Sequence, residues 1–174
     1  MSEAIKKIGI PTTATITAAL MLMSPMLLQT ALAAPTVHGP INCSVTSANA
    51  LQCTFNVSGL GGATTATATL TADATVTTGC INRGAAETQP SGLERTTTTV
   101  TQTQTVNVEG GRATFNIVAS LPSASELRDC PDGMTPVIVC ATYTDVSIEV
   151  VPNSGPSRTF PVSGTFSNCP STSA

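Results

Sequence analysis

The chain has 174 residues and a formal net charge of −3; only 10% of its residues are charged, and it has one histidine, one tyrosine and no tryptophan. A weakly acidic surface repels phosphate backbones and anionic lipid, so no nucleic-acid partner is expected. A single imidazole also leaves little material for acid–base or metal chemistry.

The first 33 residues have the pattern of an export signal. Lys6 and Lys7 form a basic start, Ala14 to Leu28 is mostly apolar or Thr, and Ala31-Leu32-Ala33 supplies small residues before a cleavage point at Ala34. Residues 1–33 are therefore expected to be a signal peptide, and residues 34–174 a single secreted domain. Pro11 and Pro25 argue against a spanning helix, and no basic stop-transfer cluster follows. The expectation is an extracellular protein with no membrane span in the mature chain. Both lysines leave with the signal, which brings the net charge to about −4.

Residues 35 to 46 carry Val37, Ile41 and Val45 and read as a first strand, with Pro40 marking an edge or irregular start. After a turn at Ser47 to Ala50, Leu51, Cys53, Phe55 and Val57 alternate with polar neighbours in a second strand. Gly59-Leu60-Gly61-Gly62 reverses the chain. The next stretch, Ala63 to Cys80, alternates without interruption. Ala66, Ala68, Leu70, Ala72, Ala74 and Val76 share one parity; Thr65, Thr67, Thr69, Thr71, Asp73, Thr75 and Thr77 share the other. That period is the mark of a strand with one face on a core and one in water.

Gly79 to Arg95 reads as a long loop. Val100, Val106 and Val108 oppose a row of threonines in the next strand, and Glu109-Gly110-Gly111-Arg112 is a hairpin signal. Ala113, Phe115, Ile117 and Ala119 form the inward face of the return strand. A second long loop runs from Leu121 to Pro136, with one helical turn expected over Ser123 to Arg128. Val137 to Ala141 is apolar on both parities, as a strand buried on both faces would be. The shift of parity before Val146 hints at a bulge. Pro152 to Pro156 turns the chain into a last strand lined by Phe160, Val162, Gly164 and Phe166.

About seven such strands predict an all-β fold, an antiparallel immunoglobulin-like Greek-key sandwich, with a small closed barrel as the alternative. An up-and-down path places all six cysteines, Cys43, Cys53, Cys80, Cys130, Cys140 and Cys169, near one end. An even number in an exported chain reads as disulfides. A turn centred near residue 48 sets Cys43 against Cys53, and one centred near 154 sets Cys140 against Cys169. Cys80 and Cys130 remain, one in each long loop, so the favoured pairing is 43–53, 80–130 and 140–169 among the fifteen possible.

Catalytic groups are hard to assemble. His38 lies near the expected cleavage point, no G-x-S-x-G elbow is present, and paired acids lack the aromatic platforms of a glycosidase site. The reading is a non-enzyme with no catalytic, cofactor-binding or metal residues. Glu126, Asp129 and Asp132 include oxygen ligands suited to Ca²⁺, but Pro131-Asp132-Gly133 is more simply a turn. If the Thr rows 65–71 and 97–105 were adjacent, they would form a regular face able to match ice or crystalline polysaccharide; the β-propensity of Thr accounts for them more simply. Asn42-Cys43-Ser44 and Asn56-Val57-Ser58 match the N-glycosylation pattern.

In bulk character (secreted, acidic, rich in Ala, Thr, Gly and Val) the mature chain resembles the neocarzinostatin-type apoproteins. The resemblance is compositional and implies only that a small-ligand carrier belongs among the readings. The favoured function is a structural or binding role outside the cell through the stapled loops 81–95 and 121–136, with Arg83, Glu94, Arg95, Arg128, Asp129 and Asp132 as candidate interaction residues. The partner is an unspecified extracellular protein or surface. One rival is a carrier with a cleft lined by Leu70, Phe115 and Val139; another is a protease inhibitor with an extended, braced loop.

Overall fold

The computed structural model describes residues 34–82 and 90–170. The signal peptide expected over residues 1–33, and Arg83, lie outside the described residues. The elements in chain order are strands β1 (Thr36–Val45), β2 (Leu51–Ser58), β3 (Thr65–Asn82), β4 (Ser91–Asn107) and β5 (Ala113–Ala119), helical turn α1 (Ala124–Leu127), then β6 (Met134–Pro152), β7 (Arg158–Val162) and β8 (Phe166–Ser167). Every strand pair is antiparallel. One sheet has the order β1-β2-β5, and the other β4-β3-β6-β7, with β8 also on β6.

The core follows from the alternation. Leu51, Cys53, Phe55 and Val57 of β2 and Ala113, Phe115, Ile117 and Ala119 of β5 are buried. So are Ala66, Ala68, Leu70, Ala72, Ala74 and Val76 of β3, and Tyr143, Val146, Ile148 and Val150 of β6. Phe55 and Phe115 are direct cross-strand partners and stack with centroids 5.1 Å apart. Burying each ring stabilises the fold by about 1.5–3 kcal/mol. The row of alanines on β3 presents little side-chain bulk between the sheets.

Polar contacts close both flanks. On one, the Asn116 N–H of β5 donates to Gln104 Oε1 of β4 at 3.1 Å. On the other, Arg158 Nη1 donates to the Pro35 carbonyl at 3.2 Å, with its guanidinium 5.2 Å from the Phe160 ring centre.

Four expectations need correction. The described ends of the first expected loop are strand: β3 runs on to Asn82 and β4 begins at Ser91. Gly79 does not turn the chain there; a Cβ at that position would lie 2.5 Å from Pro90 Cβ, so the glycine permits close packing. The second loop ends earlier than expected, because β6 starts at Met134. Val137, Ile138 and Val139 are half-buried, not enclosed on both sides. Their register against β3 shifts between Thr77 and Thr78, so a bulge mixes the parities. The last strand is interrupted at Gly164, whose φ of +124° is open to glycine, leaving β7 and β8 as separate pieces.

The parity change before Val146 does coincide with irregularity: the β3–β6 register shifts between Thr71 and Asp73, and Asp145 has φ +50°.

Candidate functional site

The sheet containing β3, β4 and β6 is much longer than its partner, with strands of 18, 17 and 19 residues against 10, 8 and 7. Its surplus length carries the candidate site. Residues 121–133 lie beside this extension. Leu121 and Leu127 pack on the core, and Cys130 is bonded to Cys80.

Three disulfides form, Cys43–Cys53, Cys80–Cys130 and Cys140–Cys169, the pairing favoured from turn positions. They are stepped along β3. Cys80 stands near its end and Cys140 opposite Thr77. Cys43 and Cys53 flank the β1–β2 turn, which meets Tyr143, the partner of Ala74. The expected gathering at a single pole becomes a series because β3 and β6 outrun β2.

Arg128 is the second fastening. Its Nη1 donates to the Thr78 carbonyl of β3 at 3.2 Å and to the Gly92 carbonyl of β4. Its Nε lies 3.7 Å from Glu94 Oε2. The side chain is 16% exposed, so this candidate interaction residue acts mainly as a tie between segments. Thr78, fully buried, is satisfied by donating to the Glu94 carbonyl at 3.5 Å, and Ser91 Oγ donates to the Cys80 carbonyl at 3.3 Å.

The helical turn expected over Ser123 to Arg128 is present as α1. Its start is a cap by the Glu126 side chain that the sequence reading missed, although Ser123-Ala124-Ser125-Glu126 carries the S-x-x-E signal. Ser123 N–H and Oγ both donate to Glu126 Oε2 at 2.7 Å. The Ser123 hydroxyl, and secondarily its backbone N–H, hold the Glu126 carboxyl below its usual pKa. Glu126 is thus engaged within its own turn. Asp132 sits in a turn closed by Met134 N–H on the Pro131 carbonyl, with Gly133 at φ +82°. Among the described residues, no three His, Cys, Asp or Glu side chains converge as a metal site would require.

What remains displayed is a rim. Leu93 is 62% exposed, and Glu94, Arg95, Asp129 and Asp132 are exposed as well. A shallow depression of about 250 Å³ is lined by Glu94, Ser125, Glu126, Leu127, Arg128 and Asp129. A larger one, about 390 Å³, lies away from this rim, beside His38, Asn56 and Arg112. Leu70 and Phe115, expected to line a carrier's cleft, are fully buried in the core, and Val139 is half-buried.

The Thr rows prove to be neighbours. Thr67 pairs with Thr105, Thr69 with Thr103, Thr71 with Thr101 and Thr75 with Thr97. Hydroxyls meet at 2.8, 3.3 and 3.4 Å in the first, second and fourth of these pairs. Thr99 Oγ1 donates to Asp73 Oδ1 at 2.8 Å within the same series. Cross-strand Thr pairs of this kind support the ladder by about 0.2–1 kcal/mol each.

No protein-family model matches the chain, and neither the curated proteins nor the solved structures contain a significant match. The likeness to the neocarzinostatin-type apoproteins therefore stays one of composition. Three disulfides are the mark of an oxidising, extracellular-type setting. Among the described residues, no helix is long and apolar enough to cross a membrane.

Proposed function

We propose that this is a secreted, non-catalytic β-sandwich of immunoglobulin-like Greek-key connectivity, serving outside the cell as a structural or binding module through its stapled end. The strand order β1-β2-β5 against β4-β3-β6-β7 supports the topological reading, since the chain passes between sheets after β2, β4 and β5. The observation that carries the functional reading is the double fastening of residues 121–133. Cys130 bonds covalently to β3, and Arg128 bridges the backbones of β3 and β4. A rim held in this way loses little conformational entropy when it binds.

The rivals draw less support. A carrier's cleft would need Leu70 and Phe115 at its wall, yet both are enclosed by packing. An inhibitor presents an extended loop to a protease, whereas residues 124–127 are helical. The test is retention of labelled protein on cells and matrix from its own culture. Leu93→Asp combined with Asp129→Arg should reduce retention roughly tenfold or more, as loss of an interface anchor does. Equal retention of the variant and the parent overturns the stapled end as the binding surface.

A further inference from the structure

The four outer strand edges of the sandwich are treated unequally. β1 carries Pro40 and a register shift between His38 and Asn42. β7 is five residues long and contains Pro161. β5 has seven residues, and Gln104 reaches its Asn116 amide. These are the usual ways of blunting an edge. β4 is 17 residues long and ends its sheet, and its stretch from Thr96 to Asn107 has no proline, glycine or charge.

The hydrogen-bond parity of that stretch can be assigned. Val108 N–H donates to the Thr64 carbonyl, while the next carbonyl, that of Thr65, accepts from Asn153 after β6. The register between Thr65 and Thr78 is uninterrupted. Even-numbered residues of β4 therefore turn their backbone groups toward β3, and Thr99, Thr101, Thr103, Thr105 and Asn107 turn theirs outward. The outward Thr103 carbonyl accepts only an exposed side-chain amide, that of Gln102 at 3.2 Å, a bond that a side-chain rotation releases.

The sequence at this edge reads the same in both directions: Val100-Thr101-Gln102-Thr103-Gln104-Thr105-Val106. We propose that a second copy of this chain pairs antiparallel with β4 about a twofold axis at Thr103, joining two long sheets into one. In that register Thr103 faces its own copy, Thr101 faces the second copy's Thr105, Gln102 its Gln104 and Val100 its Val106. Every outward N–H and C=O in the palindrome meets a partner. Side-chain parity is also kept, so threonines pair on the outer face and Val and Gln on the inner. The pairing continues the Thr67–Thr105 and Thr69–Thr103 ladder across the axis. It is independent of the function proposed for the stapled end.

The experiment is sedimentation of the intact protein over a dilution series from roughly 1 mM to roughly 1 µM, with three variants. The parent should pass from dimer to monomer. Thr103→Lys sets like charges face to face at the axis and should weaken the dimer at least roughly tenfold, while lowering the melting temperature of the dilute monomer by no more than about 4 °C, the cost of its lost pair with Thr69. Thr103→Pro removes an outward N–H and the hydroxyl contact with Thr69, but no backbone bond to β3, and should weaken the dimer likewise. Thr103→Cys should oxidise to a covalent dimer, because hydrogen-bonded antiparallel partners stand about 5.5 Å apart at Cα, within disulfide range; Thr97→Cys should not. A parent that stays monomeric at the highest concentration overturns the proposal. So does a dimer that survives Thr103→Lys unchanged, or one that Thr97→Cys cross-links as readily as Thr103→Cys.

Discussion

The Tyr143 hydroxyl of β6 donates to the Asn49 carbonyl in the β1–β2 turn at 2.5 Å, tying the two sheets together through the core. Around this bond the polar groups form a chain. Asn168 Nδ2 donates to Asn49 Oδ1 at 2.6 Å, and Asn168 Oδ1 accepts from the Ala141 N–H at 2.9 Å. The turn itself needs Asn49 at φ +61°, a conformation that Asn tolerates better than most residues. One short network thus links the hairpin of Cys43–Cys53 to the strands of Cys140–Cys169.

Tyr143→Phe should cost about 1 kcal/mol, because it takes the donor from a half-buried carbonyl while leaving the ring in place. It should also change the alkaline limb. Burial pushes the Tyr143 hydroxyl up to about 12, with the Leu51 N–H acting weakly in the opposite sense. The unfolded tyrosine ionises near pH 10. The neutral folded form therefore contributes stability that is complete below about pH 10 and is lost as pH rises through the folded value. Urea unfolding from pH 8 to pH 11.5 (roughly the window of this linkage) should show a decline in the parent that is absent in Tyr143→Phe.

The three disulfides should differ in weight according to the loop each closes. Their sequence separations are 50, 29 and 10 residues for Cys80–Cys130, Cys140–Cys169 and Cys43–Cys53. Chain-entropy scaling then gives about 4, about 3.5 and about 2.7 kcal/mol respectively. Paired Cys→Ser variants, followed by equilibrium unfolding, should lose stability in that order. The reverse order would mean that native contacts or residual structure dominate.

Acid should loosen α1 before it touches the core. The Glu126 carboxylate accepts from both donors of Ser123 and has a lowered pKa. Its contribution is therefore present above the unfolded carboxylate value and is lost as pH falls through the lower folded one. The Ser123 amide resonance should titrate with a midpoint below the usual range for Glu, about 4.3. Glu126→Gln should abolish that titration.

The Thr/Ala parity of residues 65–77, the Glu109 to Arg112 hairpin and the cysteine pairing were legible because each rests on local rules: period two, paired glycines, and equal distance from a turn centre. The β6–β8 register sets Thr142 against Ser167, which carries Cys140 toward Cys169 even though the strand breaks at Gly164. What escaped notice depended on tertiary context. Gly79 stands at the start of the expected loop, but its role comes from Pro90, eleven residues away. Arg128 reads as an interaction residue of the second loop, but its Nη1 is taken by the carbonyls of Thr78 and Gly92, which no spacing rule connects to it. The mixed parity of Val137 to Val139 was read as two-sided burial, when a bulge produces the same pattern.

The alanine row of β3 offers a direct test of how full the interior is. Ala68, Ala72 and Ala74 are completely buried, along with Phe115 and Leu70. If these alanines bordered a ligand cleft, a larger side chain would fill it and cost nothing. In a closed interface the same change forces side chains off their rotamers or separates the sheets, at about 1–3 kcal/mol. Ala72→Leu and Ala74→Leu should therefore each lower stability by that amount, read by urea midpoint at constant slope. Thr71→Leu, on the solvent side of the same strand, should shift the midpoint by less than about 0.5 kcal/mol equivalent. A neutral or stabilising Ala72→Leu would reopen the case for a carrier.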